Sequence, residues 1–223
     1  MKTSTSTVIF TKNRLEALAD GVFAIVMTLL VLELSIPVIA ESSVNVELIE
    51  KLLELWPKFL VYMLSFVVLG TMWIFHHSTF HYISRSDGKL AWMNIILLMF
   101  VALIPFSSSL LGEYSIAQVA VAVFGANVLL PTTIGTLVWI YIIRKPILAD
   151  KAIDAIVARQ RTIMGLVGCS FYVLGIGISF ISPIASLCIY GLTALLSIIT
   201  WSDSHGYLSK YFVRKQRRSN KKP

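Results

Sequence analysis

Arg14-Leu-Glu-Ala-Leu-Ala-Asp20 runs without a break into Gly21-Val-Phe-Ala-Ile-Val-Met-Thr-Leu-Leu-Val-Leu32, so an arginine and a carboxylate stand at the mouth of an apolar stretch of membrane length. Ionisable groups inside a bilayer cost roughly 2.5–3.5 kcal/mol each on insertion scales, and they persist where they serve a pathway or find a partner within a bundle. This segment predicts both the class of fold and the place to look for function.

Windows of about 20 apolar residues, enough for a hydrocarbon core of roughly 30 Å, occur at Leu15 to Ile36, Phe59 to Ile83, Leu90 to Leu111, Ile116 to Ile143, Thr162 to Ile181 and Ile184 to Trp201. With 57% hydrophobic and 14% charged residues and a mean hydropathy of +0.79, the 223-residue chain lies outside the composition of soluble domains. The expected fold is all-α and polytopic, with six transmembrane helices. A membrane domain over residues 15–206 is expected between a cytoplasmic N-terminus, 1–14, and a basic cytoplasmic tail, 207–223. The first window is too long and too acidic for a cleaved signal peptide.

Lysine and arginine divide sharply between the connections. Seventeen of the nineteen fall at the N-terminus, in the second and fourth connections and in the tail, leaving Lys51 and Lys58 for the opposite side. Such a bias places both termini in the cytoplasm. The net charge of +7 then reflects topology and attraction to anionic lipid; it carries no argument for nucleic acid. Cys169 and Cys188 lie inside apolar windows without metal-ligand spacing, as packing residues would.

The first external connection, Val38 to Pro57, carries Val46, Ile49, Leu52, Leu53 and Trp56 at helical spacing, a short interfacial helix with Glu47, Glu50 and Glu54 on its other faces. Helices three with four and five with six are expected as hairpins, joined around Gly112 to Ser115 and at Ser182-Pro183. Pro131 should kink the fourth helix, with Asn127, Thr132 and Thr133 near enough to serve the freed backbone groups. The fourth connection, Arg144 to Arg161, is long enough for a short cytoplasmic helix.

At about 100° per residue, Leu18, Gly21, Ile25, Leu29, Leu32 and Ile36 form one stripe of the first helix, with Thr28 at its edge; Asp20, Phe23, Met27, Leu30 and Leu34 lie on the far side. Asn13 and Glu16 fit a capping box at the helix start. Trp73, His76 and His77 on the second helix and Asn94 on the third share the depth of Asp20. A network of Arg14, Asp20, His76 or His77, Asn94 and a tryptophan N–H would satisfy each member, as polar groups in a low-dielectric setting require. Adjacent histidines point about 100° apart on a helix, and nothing completes a metal site around them.

These residues resemble the transmembrane protein 175 family of potassium channels. The family's Arg-x-x-x-Phe-Ser-Asp signature stands here as Arg14-Leu-Glu-Ala-Leu18-Ala19-Asp20, supported by His76-x-x-x-Phe80 and by Asn94-Ile-Ile-Leu-Leu-Met-Phe-Val-Ala-Leu-Ile-Pro-Phe106. The resemblance is strong over residues 12–114 and weak beyond. It implies a homo-oligomer, a tetramer in the single-repeat prokaryotic members, with a central pore lined by first helices. It also implies a hydrophobic constriction at Ile25, further rings at Leu29 and Leu32, a hydroxyl ring at Thr28 near which potassium passes transiently, and a plasma-membrane location. No cofactor beyond the permeant ion is expected. Glu33 would favour cations near the outer mouth.

Two other classes compete. Asp20 with histidines is also the composition of a proton relay in a coupled transporter, although that class predicts inverted repeats and broken helices at mid-membrane. Ser107-Ser-Ser109 offers hydroxyls to an intramembrane enzyme, but no base is placed to activate them.

Overall fold

In a computed structural model of the chain, which describes residues 11–149 and 153–199, the described segments are helices joined by short connections. They are α1 (Lys12–Leu29), α2 (Val44–Glu54), α3 (Trp56–His81), α4 (Gly88–Ala102), α5 (Ile104–Glu113), α6 (Gln118–Arg144), α7 (Ala155–Ser179) and α8 (Pro183–Ile199). The expected basic tail, 207–223, and the first ten residues of the N-terminus lie outside the described residues. Among the described residues, five stretches are long and apolar enough to cross a membrane: Lys12–Glu33, Trp56–His81, Gly88–Glu113, Gln118–Arg144 and Ala155–Ser179; the described part of α8 is apolar but shorter.

Helix starts follow from capping chemistry. Asp87 accepts the Leu90 N–H at 2.9 Å to open α4, and Asp154 accepts the Ile156 N–H at 2.8 Å to open α7, each serving an amide that has no partner inside its helix. Proline occupies the first turn of α3 and of α5, where its missing N–H costs nothing. The capping box expected at Asn13 and Glu16 does not form. The helix starts two residues earlier, at Lys12, capped through the Thr11 carbonyl, which accepts from Arg14 and Leu15, and Glu16 turns to Lys12 at 3.9 Å instead.

Two expected helices are less regular than their apolar windows. The first tightens into a 3-10 turn over Leu30–Glu33 and does not reach Ile36 as a helix. The third breaks at Leu103, where Pro105 cannot donate to the carbonyl four residues back; the Leu103 N–H bonds to Phe100 and Val101. The fourth connection also differs from expectation. α7 begins at Ala155, so Arg159 and Arg161 lie within it, and the described part of the connection holds a 3-10 turn, Pro146–Leu148, in place of a short α-helix.

α6 is central. It packs against α4 and α5 on one side and most extensively against α7 on the other, while α1 lies on α3 and α4. Without a hydrophobic gradient between helices and lipid, close packing has to supply the adhesion. A Cβ added at Gly125 on α6 or Gly175 on α7 would fall inside the Tyr190 ring, so these glycines are what allow the fully buried Tyr190 to sit between α6 and α7.

Candidate pore helix and its polar anchors

Leu15, Ala19, Phe23, Val26 and Leu30 are the buried residues of α1 and of the turn that extends it. From Ala19 to Leu30 they join Leu69 of α3, Leu97, Leu98 and Val101 of α4 and Ile104 of α5 in one core cluster. This commits one face of α1 to its own subunit. The opposite face stays uncovered along its whole length, with Leu18 48% exposed, Ile25 60%, Leu29 41% and Leu32 72%, and with Gly21 and Thr28 exposed beside them. The stripe read from helical spacing is therefore the face that the single chain leaves open. Leu32 sits in the 3-10 turn, still on the open side.

Thr28 adds a directional detail. Its hydroxyl donates to the Ile25 carbonyl at 2.7 Å, so its proton is spent on its own helix and its free lone pairs remain to accept. An exposed oxygen in that state is suited to a cation.

The single polar network expected around Asp20 resolves into two separate anchors. At the edge of the open face, the Trp73 indole N–H donates to Asp20 at 2.8 Å. Deeper, His76 and Asn94 bond at 2.8 Å between α3 and α4, with His76 stacked on Phe80 at 4.3 Å and next to Phe23 of α1 at 6.0 Å. His76 Nδ1 and Asn94 Nδ2 are buried with no hydrogen-bond partner among the described residues. Asp20 is exposed in the single chain and is not enclosed by the network expected around it, because the α1 face that turns inward is Ala19 and Phe23.

Arg14 does not join either anchor. It is exposed, and no ion pair to it is formed among the described residues. His77 belongs to a third contact: it stacks on Trp73 at 5.5 Å and approaches Glu16 at 4.0 Å, leading away from His76. The two histidines thus diverge to different partners.

Glu33, at the other end of α1, lines a small recess with Lys58, Ser108, Ser109 and Glu113. Lys58 is held by Glu113 at 2.7 Å.

Other polar links were hidden in the one-dimensional pattern. Ser108 donates to Ser65 at 2.7 Å and Asn127 to Ser107 at 3.0 Å, tying α5 to α3 and α6. Asn127 therefore serves a neighbour, while α6 continues through Pro131 as one helix; Thr132, bonded to the Val128 carbonyl at 2.8 Å, stays with its helix, and Thr133 meets Cys169 at 3.5 Å. On the side of the α3–α4 connection, Asp87 collects the Lys145 ammonium at 2.6 Å and the Tyr141 hydroxyl at 2.7 Å. Beside it Ile83 and Ala149 form an antiparallel bridge.

Comparison with known proteins converges on one family. The family model described as the endosomal/lysosomal potassium channel TMEM175 matches residues 14–105, the segment that holds α1 and both anchors. A potassium channel of Streptomyces collinus is 35% identical over 187 residues, 82% of this chain and 89% of that protein. The endosomal/lysosomal proton channel TMEM175 of Gallus gallus is 37% identical over 109 residues, 47% of this chain and 22% of its own. Among solved structures, a lysosomal potassium-selective channel TMEM175 homolog from Chamaesiphon minutus superposes with a TM-score of 0.75 and 31% identity, covering 85% of this chain and 97% of that one.

Proposed function

The chain belongs to the TMEM175 channel family, a family of multi-pass membrane channels, and from that premise we propose that it is a potassium-preferring cation channel assembled as a homotetramer around four α1 helices. The carrying observation is the division of α1 into two faces, one buried in its own subunit and one open from Leu18 to Leu32. One such helix per chain, with no internal repeat, calls for identical chains around an axis.

In this reading Ile25, Leu29 and Leu32 form successive greasy rings, which conduct only when wide enough to hold water. Thr28 offers oxygen lone pairs between them, where potassium rests in transit. Selectivity is modest, because aliphatic rings cannot replace the ion's hydration shell; the preference rests on dehydration cost and on Thr28. Glu33 at the outer end favours cations over anions. The six spans include α8, both termini face the cytoplasm as the basic connections direct, and the protein resides in the plasma membrane. No cofactor takes part.

Flux from liposomes containing the purified protein tests the reading: potassium efflux should be passive, exceed sodium efflux, and need no second ion gradient. A disulfide formed between subunits by Leu29→Cys locates the helices at the axis. Carriage that requires a driving ion, or crosslinks confined to one subunit, would refute it.

A second reading has its own support. The buried His76–Asn94 pair, with Asp20 close by, and the name proton channel borne by vertebrate relatives fit proton conduction. The zero-current voltage decides between the two, since it follows the pH gradient in one case and the potassium gradient in the other.

A further inference from the structure

α7 packs along α6 and shares no comparable contact with α3. Between α3 and α7, walled also by α4, α6 and α8, lies a cavity of about 600 Å³, within the range of sites that hold a small ligand, roughly 300–1,000 Å³. α3, α6 and α7 are of membrane length, so a guest reaches the cavity from the bilayer and has to dissolve there.

The charge in the wall is already answered. Arg161 lies 4.4 Å over the Trp139 ring and 5.1 Å over Phe75, and it donates to the Ser78 hydroxyl and to the Ser78 and Phe75 carbonyls. Its charge disfavours a cationic guest, and these contacts leave no call for an anionic one.

The remaining polarity is that of hydroxyls with one sign. Thr71, Thr132, Thr136 and Thr193 all line the cavity, and each hydroxyl donates to a carbonyl of its own helix at 2.7–2.9 Å. A hydroxyl whose proton is committed keeps only lone pairs, so the four offer acceptors and no donor. His76 and Asn94 belong to the same lining, and each keeps one buried polar atom with no partner among the described residues, a situation that a further hydrogen-bonding group relieves. Phe75, Phe171 and Tyr172 supply rings to the wall, which aromatic guests meet in offset or edge-on stacks.

We propose that this cavity binds a neutral, ring-bearing alcohol or phenol taken from the bilayer, its hydroxyl donating to Thr71 on α3 and Thr132 on α6 and its rings against Phe75, Phe171 and Met72. Thr71 and Thr132 are the half-buried members of the four, whereas Thr136 and Thr193 are buried. The guest has to donate, because the hydroxyls in the lining only accept. It has to be neutral, because the one charge is held by rings and carbonyls. The site is separate from the open face of α1, and the reading of the pore does not enter it.

Gly168 of α7 lines the cavity, and a Cβ there meets only Thr132 Cγ2, at 3.9 Å, so Gly168→Leu fills the space. Thr71→Val with Thr132→Val removes the two oxygens and keeps the shape. The full chain, purified in a neutral detergent, is melted with 1-naphthol, with its methyl ether, which cannot donate, or with naphthalene. 1-Naphthol alone should raise the midpoint, by about 2–4 °C, and both variants should lose that rise. No rise with 1-naphthol, an equal rise with the ether, or a full response in either variant would overturn the proposal. The filled variant carries the test if the paired valine variant does not fold.

Discussion

His76 and Asn94 show how much a single buried pair constrains the site. Each side chain uses one polar atom on the other and leaves one without a partner, so removing either strands a group away from water. Asn94→Ala should cost about 1–3 kcal/mol, read as a lower melting midpoint of the purified protein. Trp73→Phe should cost about 1 kcal/mol or less, since bonds between membrane helices are individually weak and Asp20 stays exposed in the chain. A ranking in which Trp73→Phe is the more damaging would show that Asp20 is desolvated by a neighbouring subunit. The residue types of both anchors were legible from depth alone, because polar groups inside a span have to find each other. Their division into two pairs was not, because which face of α1 turns inward depends on Ala19 and Phe23 fitting Leu97 and Val101, a matter of shape. Arg161 was hidden for a similar reason. Its charge assigns it to a connection, and only the rings of Phe75, Tyr82 and Trp139 around its guanidinium make a place for it inside α7.

Among the elements, the joint between the α3–α4 connection and the end of α6 is the one that responds to acid. Burial alone would push the Asp87 carboxyl up; the Lys145 ammonium, the Leu90 N–H and the Tyr141 hydroxyl outweigh it and bring it from 3.8 to about 2. A carboxyl depressed in the folded chain contributes stability above its unfolded value and loses it as pH falls toward the folded one. The joint should therefore weaken between about pH 4 and pH 2. Asp87→Asn keeps a helix cap but removes the charge, so the melting midpoint of that variant should fall less over this window than that of the parent. Parallel acid limbs would exclude Asp87 as the cause. Five of the six expected spans were readable from hydropathy at this scale. The break at Leu103 had a visible signal in Pro105, yet an apolar window averages through it. The 3-10 turn at Leu30–Glu33 has no proline or glycine inside it, and nothing local announces it.

For the whole molecule, the proposed tetramer has the open face of α1 govern assembly and conduction together. Ile25→Asn leaves the buried face untouched and replaces a greasy ring by one that holds water, so the tetramer should form normally while single-channel conductance rises or the preference for potassium over sodium falls. Unchanged currents from a well-formed oligomer would remove Ile25 from the pore. The stripe itself was the most legible feature of the chain, since helical spacing alone separates its two faces. What faces that stripe was not legible, because periodicity treats lipid, pore and partner alike; that it faces a pore is the proposal made above.

The Thr28 hydroxyl, turned onto Ile25, has a consequence for what can cross such a throat. Excess charge hops along a file of water only where every link both receives and passes on a hydrogen, and a link whose hydrogen is already committed to backbone ends the file. An alkali ion asks only for lone pairs. In the proposed pore, the same small torsion would turn the Thr28 lone pairs toward a passing alkali ion and keep its hydrogen out of any relay that used this hydroxyl as a link.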